Sequence, residues 1–329
     1  MKKIYDKKMT IVIFLSVIVF ASVLSTILFM NIESPESLSE SPESLSESPE
    51  SLSESPESLS ESPESLSESP MSMDYYIDTL SKTHPFKVQT DPYFELHMTK
   101  SDYDRFNNGL RQLDGVRLTL NPSNSDQLID ELKPNNGTVV IFPIFTAAAY
   151  FPHGFYNYYY DTCDESCITN VSFENFNFDY NESGITAQIL YHVGYDFLTD
   201  VQVDKNPELL NNYETVILLH NEYVTKKEFD AISNHPNLIF LHPNALYAEI
   251  DVNHDENVMT LIRGHGYPPD DPVSNGFDYD IEKEFHVYEK STSCKDWEFI
   301  KIKNGFHLNC YPEGVIIDQF EILKKMKEL

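Results

Sequence analysis

Three short runs of apolar residues constrain the fold of this 329-residue chain more than any other feature. They read TVVIFPIF at 138–145, ETVILLH at 214–220 and NLIFLHP at 237–243. A continuous apolar run of this length is typical of a strand covered on both faces, as the strands of a parallel sheet are. The sequence therefore predicts three buried strands between residues 138 and 243.

Helix patterns separate these strands. The predicted helices cover 97–113, 124–132, 183–195, 207–213, 225–235 and 316–329, with Thr99 or Ser101 capping the first and Thr225 the fifth. Further strands are predicted at 196–203, 246–252, 285–290 and 297–302, and a loop at 150–160. Strands that alternate with helices indicate a parallel sheet with helices on both faces. We therefore predict a three-layer α/β core with a β-rich C-terminal extension.

The N-terminal region has the pattern of a membrane anchor. Residues 9–30 carry no charge, and 22 residues of helix span about 33 Å, enough to cross a hydrocarbon core of about 30 Å. Four lysines precede this run within the first eight residues, and no Lys or Arg follows it before Lys82. The positive-inside rule then predicts a cytoplasmic segment at 1–8, a transmembrane signal-anchor helix at 9–31 and an outward-facing remainder. A cleaved signal peptide is the alternative interpretation.

A low-complexity segment follows the predicted anchor. The sequence SPESLSE repeats five times from Ser34, and the last repeat is followed by Ser69-Pro70. The seven-residue period does not indicate a coiled coil, because each repeat has one Leu and a proline that breaks a helix every two turns. Ser, Pro and Glu bury too little apolar surface to fold. We predict a disordered stalk over 32–71 and one globular domain over 72–329.

The charge of the chain argues against nucleic acid as a partner. The formal net charge is −30, whereas binding to a phosphate backbone requires a basic face. An acidic exterior is typical of a soluble surface and names no function.

Four cysteines in a domain predicted to be exported indicate disulfide bonds. Pairing neighbours along the chain gives Cys163–Cys167 and Cys294–Cys310, and two other connectivities remain open. A zinc site at Cys163 and Cys167 is the rival hypothesis. Three N-glycosylation acceptors, at Asn136, Asn170 and Asn181, fit an exported glycoprotein.

Polar side chains stand at the ends of two predicted buried strands. His220 and Glu222 end the second strand, and the segment HPNALY at 242–247 ends the third. In open α/β sheets, ligands bind at the carboxyl ends of the strands. The aromatic segment at 150–160 follows the first strand and forms a third wall. A His and a Glu two residues apart can supply a base and a carboxylate ligand. The alternative is a solvated Glu222 at a helix start.

These segments also resemble a known family. The stretch GYDFLTDVQVDKNPELLNNYETVILLHNEYVTKKEFDAI at 194–232, continued by NLIFLHPNALYAE, is similar to glutamine-amidotransferase-like domains of the ThuA-like type. It is also similar to the C-terminal domain of the large subunit of N,N-dimethylformamidase. The matching motifs are Tyr195-Asp196, Thr199-Asp200, His220-Asn221-Glu222-Tyr223 and Pro243-Asn244-Ala245-Leu246-Tyr247.

The resemblance implies a flavodoxin-like layer architecture and a mononuclear metal centre, with iron or zinc as the ion. By this resemblance Glu222 is the metal carboxylate, and His220 is the neighbouring acid or base. Asn244 becomes a polar contact to the substrate. Tyr150 and Tyr156 become the candidate tyrosine ligands. The activity that the resemblance implies is hydrolysis of a C–N bond.

The chain departs from the family pattern at the site itself. Asn221 stands where the motif has Asp, Val224 where it has Trp, and His242-Pro243 where it has paired glycines. A proline restricts the backbone where a glycine allows close approach to a ligand. We therefore expect a membrane-anchored module that binds a surface protein or a small molecule through a degenerate amidotransferase-like domain. A metal-dependent hydrolase of amide bonds is the alternative.

Overall fold

The computed structural model describes residues 80–89, 91–108, 115–173, 178, 180, 182–277 and 294–329. The anchor predicted at 9–31, the stalk predicted at 32–71 and the strand predicted at 285–290 lie outside these residues. Within the described ranges, no helix has the length and apolar character needed to cross a membrane.

The described residues contain both strands and helices. Strands β1 to β13 span Phe86–Gln89, Phe94–Met98, Arg117–Leu120, Thr138–Phe142, Val171–Ser172, Asp196–Thr199, Thr215–Leu218, Tyr223–Thr225, Leu238–Phe240, Ala248–Asn253, Val258–Arg263, Phe299–Ile302 and Gly305–Leu308. Helices α1 to α9 span Lys100–Asn107, Ser125–Leu132, Ile144–Tyr150, Phe155–Tyr159, Ser166–Thr169, Gly184–His192, Asp200–Lys205, Lys226–Ser233 and Glu321–Lys327, and a 3₁₀ helix spans Pro207–Asn212.

A six-stranded sheet forms the centre of the domain. Its strand order is β12-β13-β9-β7-β4-β6. Strands β6, β4, β7, β9 and β13 are parallel, and β12 joins the edge antiparallel to β13. The predicted α/β core is therefore confirmed, and the three predicted buried strands correspond to β4, β7 and β9.

Both faces of this sheet are covered, which explains why its strands are apolar throughout. In β4, Val140 and Phe142 pack into one hydrophobic cluster, and Val139 and Ile141 pack into another. The first cluster contains side chains of α2, α6 and α9, and the second contains side chains of α7, α8 and the 3₁₀ helix. Successive residues of a strand point to opposite faces, so helices lie on both sides of the sheet.

Local capping signals place several helices correctly. Thr225 caps α8: its hydroxyl accepts from the Glu228 amide, and the Glu228 carboxylate accepts from the Thr225 amide. This capping box satisfies two amide groups that a helix start leaves unbonded. Thr199 and Gln202 form the same motif at the start of α7. The strand predicted at 196–203 therefore ends at Thr199 and becomes a helix.

Two other predictions need correction. The loop predicted at 150–160 contains α4, and the preceding helix α3 starts directly after Pro143, which has no amide hydrogen to continue strand β4. The helix predicted at 97–113 begins only at Lys100, because residues up to Met98 belong to β2, which pairs with both β1 and β3. Tertiary pairing overrides the helix pattern there.

A second sheet brings more residues to the carboxyl ends of the central strands. Its strand order is β5-β11-β10-β8, with β8 parallel to β10. Strand β8 starts at Tyr223, only five residues after β7 ends at Leu218. The segment between β7 and β8 therefore connects the two sheets, and the predicted site residues His220 and Glu222 lie on it.

Three buried carboxylates lie on α7 and α8. Burial raises the pKa of Asp200 to about 8, and burial followed by the charge of Asp200 raises the pKa of Glu228 well above its ordinary value. Asp204 is bonded to the Thr225 hydroxyl at 2.5 Å and to His254 Nε2 at 2.6 Å. Like charges in a buried site favour protonation of one partner.

This cluster predicts a loss of stability with rising pH. A carboxyl whose pKa is raised on folding binds its proton more tightly in the folded state, so its contribution is lost as pH rises through the folded pKa of about 8. We expect the free energy of unfolding to fall progressively from about pH 4, the ordinary pKa of a carboxyl, to the folded pKa of about 8, and to level off above it. Glu228→Gln should flatten this dependence, because a neutral amide replaces the carboxyl. Urea denaturation at each pH measures it, with the exposed Glu208→Gln as control; an unchanged slope in Glu228→Gln would contradict the assignment.

Both predicted disulfide bonds are confirmed. Cys163 and Cys167 are bonded with a Cα–Cα distance of 6.1 Å, and Cys294 and Cys310 with a distance of 5.3 Å. Both distances lie in the usual range for disulfides. The second bridge is wholly buried, whereas Cys163 is partly exposed.

The two bridges are expected to contribute unequally to stability. Loop-closure entropy predicts about 3 kcal/mol for the 16-residue separation of Cys294–Cys310 and about 2 kcal/mol for the 4-residue separation of Cys163–Cys167. Denaturant unfolding of the two double-serine variants measures both losses. A larger loss from Cys163→Ser/Cys167→Ser would contradict this order.

Candidate functional site

The predicted site residues gather at the carboxyl ends of β7 and β9. His220 and Glu222 follow β7, and His242 and Asn244 follow β9. Parallel strands end at the same edge of a sheet, which brings the two segments together.

The backbone around Glu222 is held from two sides. The Glu222 carbonyl accepts from the amides of Tyr247 and Ala248, both at 2.9 Å. The Tyr223 amide donates to the Thr146 hydroxyl of α3 at 3.1 Å. A side chain placed on such a fixed backbone keeps its position without a ligand.

Glu222 is the centre of the site, and its side chain is 0% exposed. Oε2 accepts from the Tyr150 hydroxyl at 2.7 Å, and Oε1 accepts from His265 Nε2 at 2.6 Å. His220 Nε2 lies 3.2 Å from Oε2, at ion-pair distance but without a hydrogen bond. The alternative hypothesis of a solvated Glu222 is therefore wrong.

The carboxylate stays charged despite its burial. Burial alone raises the pKa of Glu222, but the neighbouring imidazoles of His220 and His265 outweigh it and hold the pKa well below its ordinary value. A buried charge of this kind is retained only when several donors compensate for lost water. The site is therefore a buried anion surrounded by proton donors.

Two tyrosines form a chain of hydroxyl groups that ends on this anion. Tyr156 donates to the Tyr150 hydroxyl at 2.7 Å, and Tyr150 donates to Glu222. Their rings are in contact, with centroids 4.1 Å apart. Burial, followed by the charge of Glu222, raises the pKa of both phenols far above the ordinary value, so both are neutral donors.

His220 is oriented from its other ring nitrogen. The Tyr180 hydroxyl oxygen lies 2.6 Å from His220 Nδ1. Burial, followed by the charge of Glu222, raises the pKa of Tyr180 well above 10. The neutral phenol donates to Nδ1, so Nδ1 is an acceptor and the ring proton lies on Nε2, on the side of Glu222. The His220 amide also donates to the Ser183 hydroxyl at 3.1 Å.

A second histidine lies against His220. The rings of His220 and His242 are stacked with centroids 3.6 Å apart. Burial, followed by repulsion from His220, lowers the pKa of His242 well below 6.5, so His242 is neutral. His242 Nδ1 donates to Asn244 Oδ1 at 2.5 Å. The Asn244 side chain is therefore hydrogen-bonded to His242. Beside these rings, a cavity lined by His220, His242 and Glu313 has room for about one water.

The sequence analysis did not predict His265 as part of this site. His265 has φ of +54° and stands between Gly264 and Gly266, in a turn after β11. Gly264 has φ of +126°, and a Cβ there would lie 2.7 Å from the Ala248 side chain, so glycine is required. The two flanking glycines are the only sign in the sequence that His265 lies in a special turn. Its closeness to Glu222 could not be predicted, because it depends on the pairing of β10 with β11.

Two further hydroxyl groups lie in the same aromatic cluster. The hydroxyls of Tyr159 and Tyr223 are buried. Burial is the first cause that raises the pKa of each phenol, and the charge of Glu222 adds to it in both, whereas a hydrogen bond with Tyr223 partly offsets the rise for Tyr159. Both phenols are therefore neutral and can act as hydrogen-bond donors.

The outer side of the cluster is aromatic and partly open. Tyr156, Tyr159 and His265 are partly exposed, and neighbouring Tyr160 is 62% exposed. The inner side, formed by Glu222, His220 and His242, is buried. A ligand would therefore approach between the rings.

The fold brings the oxygen atoms of the three predicted metal ligands close together. Tyr156, Tyr150 and Glu222 are linked by two contacts of 2.7 Å. The two histidines at Glu222 face different carboxylate oxygens: His265 is bonded to Oε1, and His220 lies 3.2 Å from Oε2. Among the described His, Cys, Asp and Glu residues, the group placed to share one ion lies elsewhere, at His153, Cys163 and Cys167.

No protein-family model matches the chain, and no curated protein matches it.

Proposed function

We propose that this domain is a hydrolase of C–N bonds of the amide type, with Glu222 at its centre. The observation that carries the proposal is the charged, fully buried Glu222 bonded to Tyr150 and His265, with His220 3.2 Å away. Such a group costs folding stability, and strongly shifted pKa values cluster at functional sites. Its place at the carboxyl ends of parallel strands supports the same conclusion.

The flavodoxin-like assignment belongs to this proposal. It is supported by the parallel order of β6, β4, β7 and β9 with helices on both faces, and by the resemblance to ThuA-like and dimethylformamidase domains.

The donor set fits an iron ion better than zinc. Tyr150, Tyr156 and Glu222 offer only oxygen atoms, which suit hard cations, whereas zinc prefers imidazole and thiolate ligands. These three residues would hold the ion, and Glu222 supplies negative charge for it. When bound, such an ion acts as a Lewis acid and lowers the pKa of a bound water.

The remaining residues have assignable roles. Hydrolysis adds the oxygen of water to the carbonyl carbon, breaks the C–N bond and transfers a proton to the leaving amine. His220, with its proton at Nε2, is the proton carrier for these transfers, and Tyr180 keeps its ring in that tautomer. The neutral hydroxyls of Tyr159 and Tyr223 can donate to the carbonyl oxygen. His242 and Asn244 position His220 by stacking.

We place the domain outside the cell membrane, anchored by residues 9–31 with the N-terminus in the cytoplasm. Two disulfide bonds support an oxidising compartment. Asn136 and Asn170 are exposed, as glycan acceptors must be, and Asn181 lies outside the described residues. The stalk at 32–71 gives the domain reach from the membrane.

A binding module without turnover is the second candidate. The cavity beside His220 and His242 holds about one water, which leaves little room for a substrate on that side. In this case a small molecule or a surface protein would bind at the aromatic mouth around Tyr156 and Tyr159.

An amide-hydrolysis assay separates the two candidates. The full-length chain in detergent, supplied with ferric iron, is incubated with small N-alkyl amides, and the released amine is measured. We expect turnover that falls about 100- to 1,000-fold in Glu222→Gln. Equal turnover in both proteins would overturn the site assignment. Saturable binding of the amide with no amine release would support the binding module.

A further inference from the structure

A second cluster of metal-ligating side chains lies on the segment that runs from the end of α3 into α5. The ligand atoms of His153, Cys163 and Cys167 all lie within 4.8 Å of one another. Cys163 and Cys167 are joined as a disulfide, and His153 is exposed. The sequence shows no His at a usual zinc spacing from these cysteines, so only the fold brings this histidine to the two sulfurs.

A network centred on Asn157 holds the segment in this shape. The His153 amide donates to Asn157 Oδ1 at 2.8 Å, and Asn157 Nδ2 donates to the Thr162 hydroxyl at 3.1 Å. The Thr162 amide in turn donates to the Asn157 carbonyl at 2.9 Å. These bonds fold the chain back so that residue 153 meets residue 163. They do not involve the disulfide, so opening the disulfide removes none of their donors or acceptors.

We propose that this cluster is a thiol-gated zinc site, closed as a disulfide when oxidised and able to bind Zn²⁺ through Cys163, Cys167 and His153 when reduced. Two thiolates and one imidazole are ligands that zinc prefers. The two cysteines are four residues apart in sequence, with Cα atoms 6.1 Å from each other. With Zn–S bonds of about 2.3 Å in a tetrahedral site, the sulfurs need to separate to about 3.8 Å, which rotation of the two side chains can supply.

The chemistry of the switch balances with an external dithiol as reductant. A thiolate of the dithiol attacks the partly exposed Cys163 sulfur, forms a mixed disulfide with it and releases the Cys167 thiolate. The second thiol of the reagent then attacks the mixed disulfide, so that the dithiol closes to a disulfide and Cys163 and Cys167, having gained two electrons and two protons, become thiols. Binding of Zn²⁺ then releases two protons to solvent, because zinc binds thiolates. Three protein ligands leave the fourth position for water.

The other disulfide provides the contrast within the same chain. Cys294 and Cys310 are both 0% exposed, so a reductant reaches them only when the fold opens. Among the described residues, no group of three metal ligands includes either of them. Gentle reduction should therefore open the Cys163–Cys167 bridge first and leave Cys294–Cys310 closed.

Cobalt binding to the full-length chain tests the proposal. The protein is reduced with a water-soluble phosphine, which competes weakly for metal, and alkylation with mass spectrometry identifies the opened bridge. We expect the reduced chain to bind one equivalent of Co²⁺ more than the oxidised chain, with visible absorption of a tetrahedral thiolate site that Zn²⁺ abolishes. His153→Ala should weaken this binding at least about 10-fold, and Cys163→Ser/Cys167→Ser should remove it.

Three results would overturn the proposal. One is a reduced chain that binds no more cobalt than the oxidised chain. The second is equal binding in His153→Ala or in the double-serine variant. The third is loss of the near-ultraviolet circular dichroism of the fold in the double-serine variant, because the site requires a fold that survives without the bridge. Iron at Glu222 does not interfere, since only the difference between oxidised and reduced protein is counted.

Discussion

Replacing Glu222 with alanine is expected to lower the free energy of unfolding by about 3–5 kcal/mol, because it leaves buried donors without their acceptor. Tyr150 and His265 both bond directly to this carboxylate, and His220 lies 3.2 Å from it. Removal of one partner from a buried charged network costs far more than removal of an exposed charge. Urea denaturation at pH 7 gives the value.

Two variants calibrate this result. Glu222→Gln keeps the shape and one acceptor oxygen, so its loss should be smaller than that of Glu222→Ala. Glu208→Ala changes an exposed carboxylate and should cost little. A loss below about 1 kcal/mol in Glu222→Ala would mean that the network carries little energy, and that the buried charge is not held as described.

Tyr150→Phe is expected to lower kcat/KM for an amide substrate by at least about 100-fold. The change removes the hydroxyl that donates to Glu222 at 2.7 Å and accepts from Tyr156, and it keeps the ring that packs against Tyr156. It also removes one of the three oxygen ligands that we assign to the ion. Iron content should therefore fall together with activity.

Tyr160→Phe is the matched control for this prediction. Tyr160 lies on the same aromatic segment but is 62% exposed, so its activity should equal that of the unaltered protein. Tyr156→Phe should have an intermediate effect, because its hydroxyl reaches Glu222 only through Tyr150. A Tyr150→Phe protein with activity within about twofold of the parent would remove Tyr150 from the site.

The elements that could be predicted from sequence are those set by local patterns. Strands β7 and β9 are continuous apolar runs because both of their faces are buried. Helix α8 begins at the predicted cap because Thr225 and Glu228 satisfy each other within four residues. Neither signal depends on distant parts of the chain.

The elements that the sequence did not predict depend on distant contacts. His97 and Met98 belong to strand β2 because β1 and β3 pair with it on both sides. The aromatic segment at 150–160 contains helix α4, whose Phe155 packs against Tyr223 with ring centroids 5.0 Å apart. The sequence predicts a loop in this segment because it does not show which side chains the aromatic rings pack against.

The candidate site divides in the same way. His220 and Glu222 could be predicted from their place at the end of an apolar strand. His265 and Tyr180 could not, because they reach Glu222 and His220 from 43 and 40 residues away in sequence. The substrate contact of Asn244 stays a prediction, and its bond to His242 links it to the ring that stacks on His220. Residue spacing along the sequence does not predict the role of a side chain that contacts a neighbour of Glu222 and not Glu222 itself.

The central claim is that Glu222, Tyr150 and Tyr156 form an oxygen-liganded iron centre, and metal analysis tests it most directly. The full-length chain is purified oxidised, beside Glu222→Gln, and its metal content is measured by plasma mass spectrometry after loading with ferric iron and dialysis. The account predicts about one iron per unaltered chain and none in Glu222→Gln, with both proteins folded. Folded protein that retains no iron, or equal iron in both proteins, would contradict it.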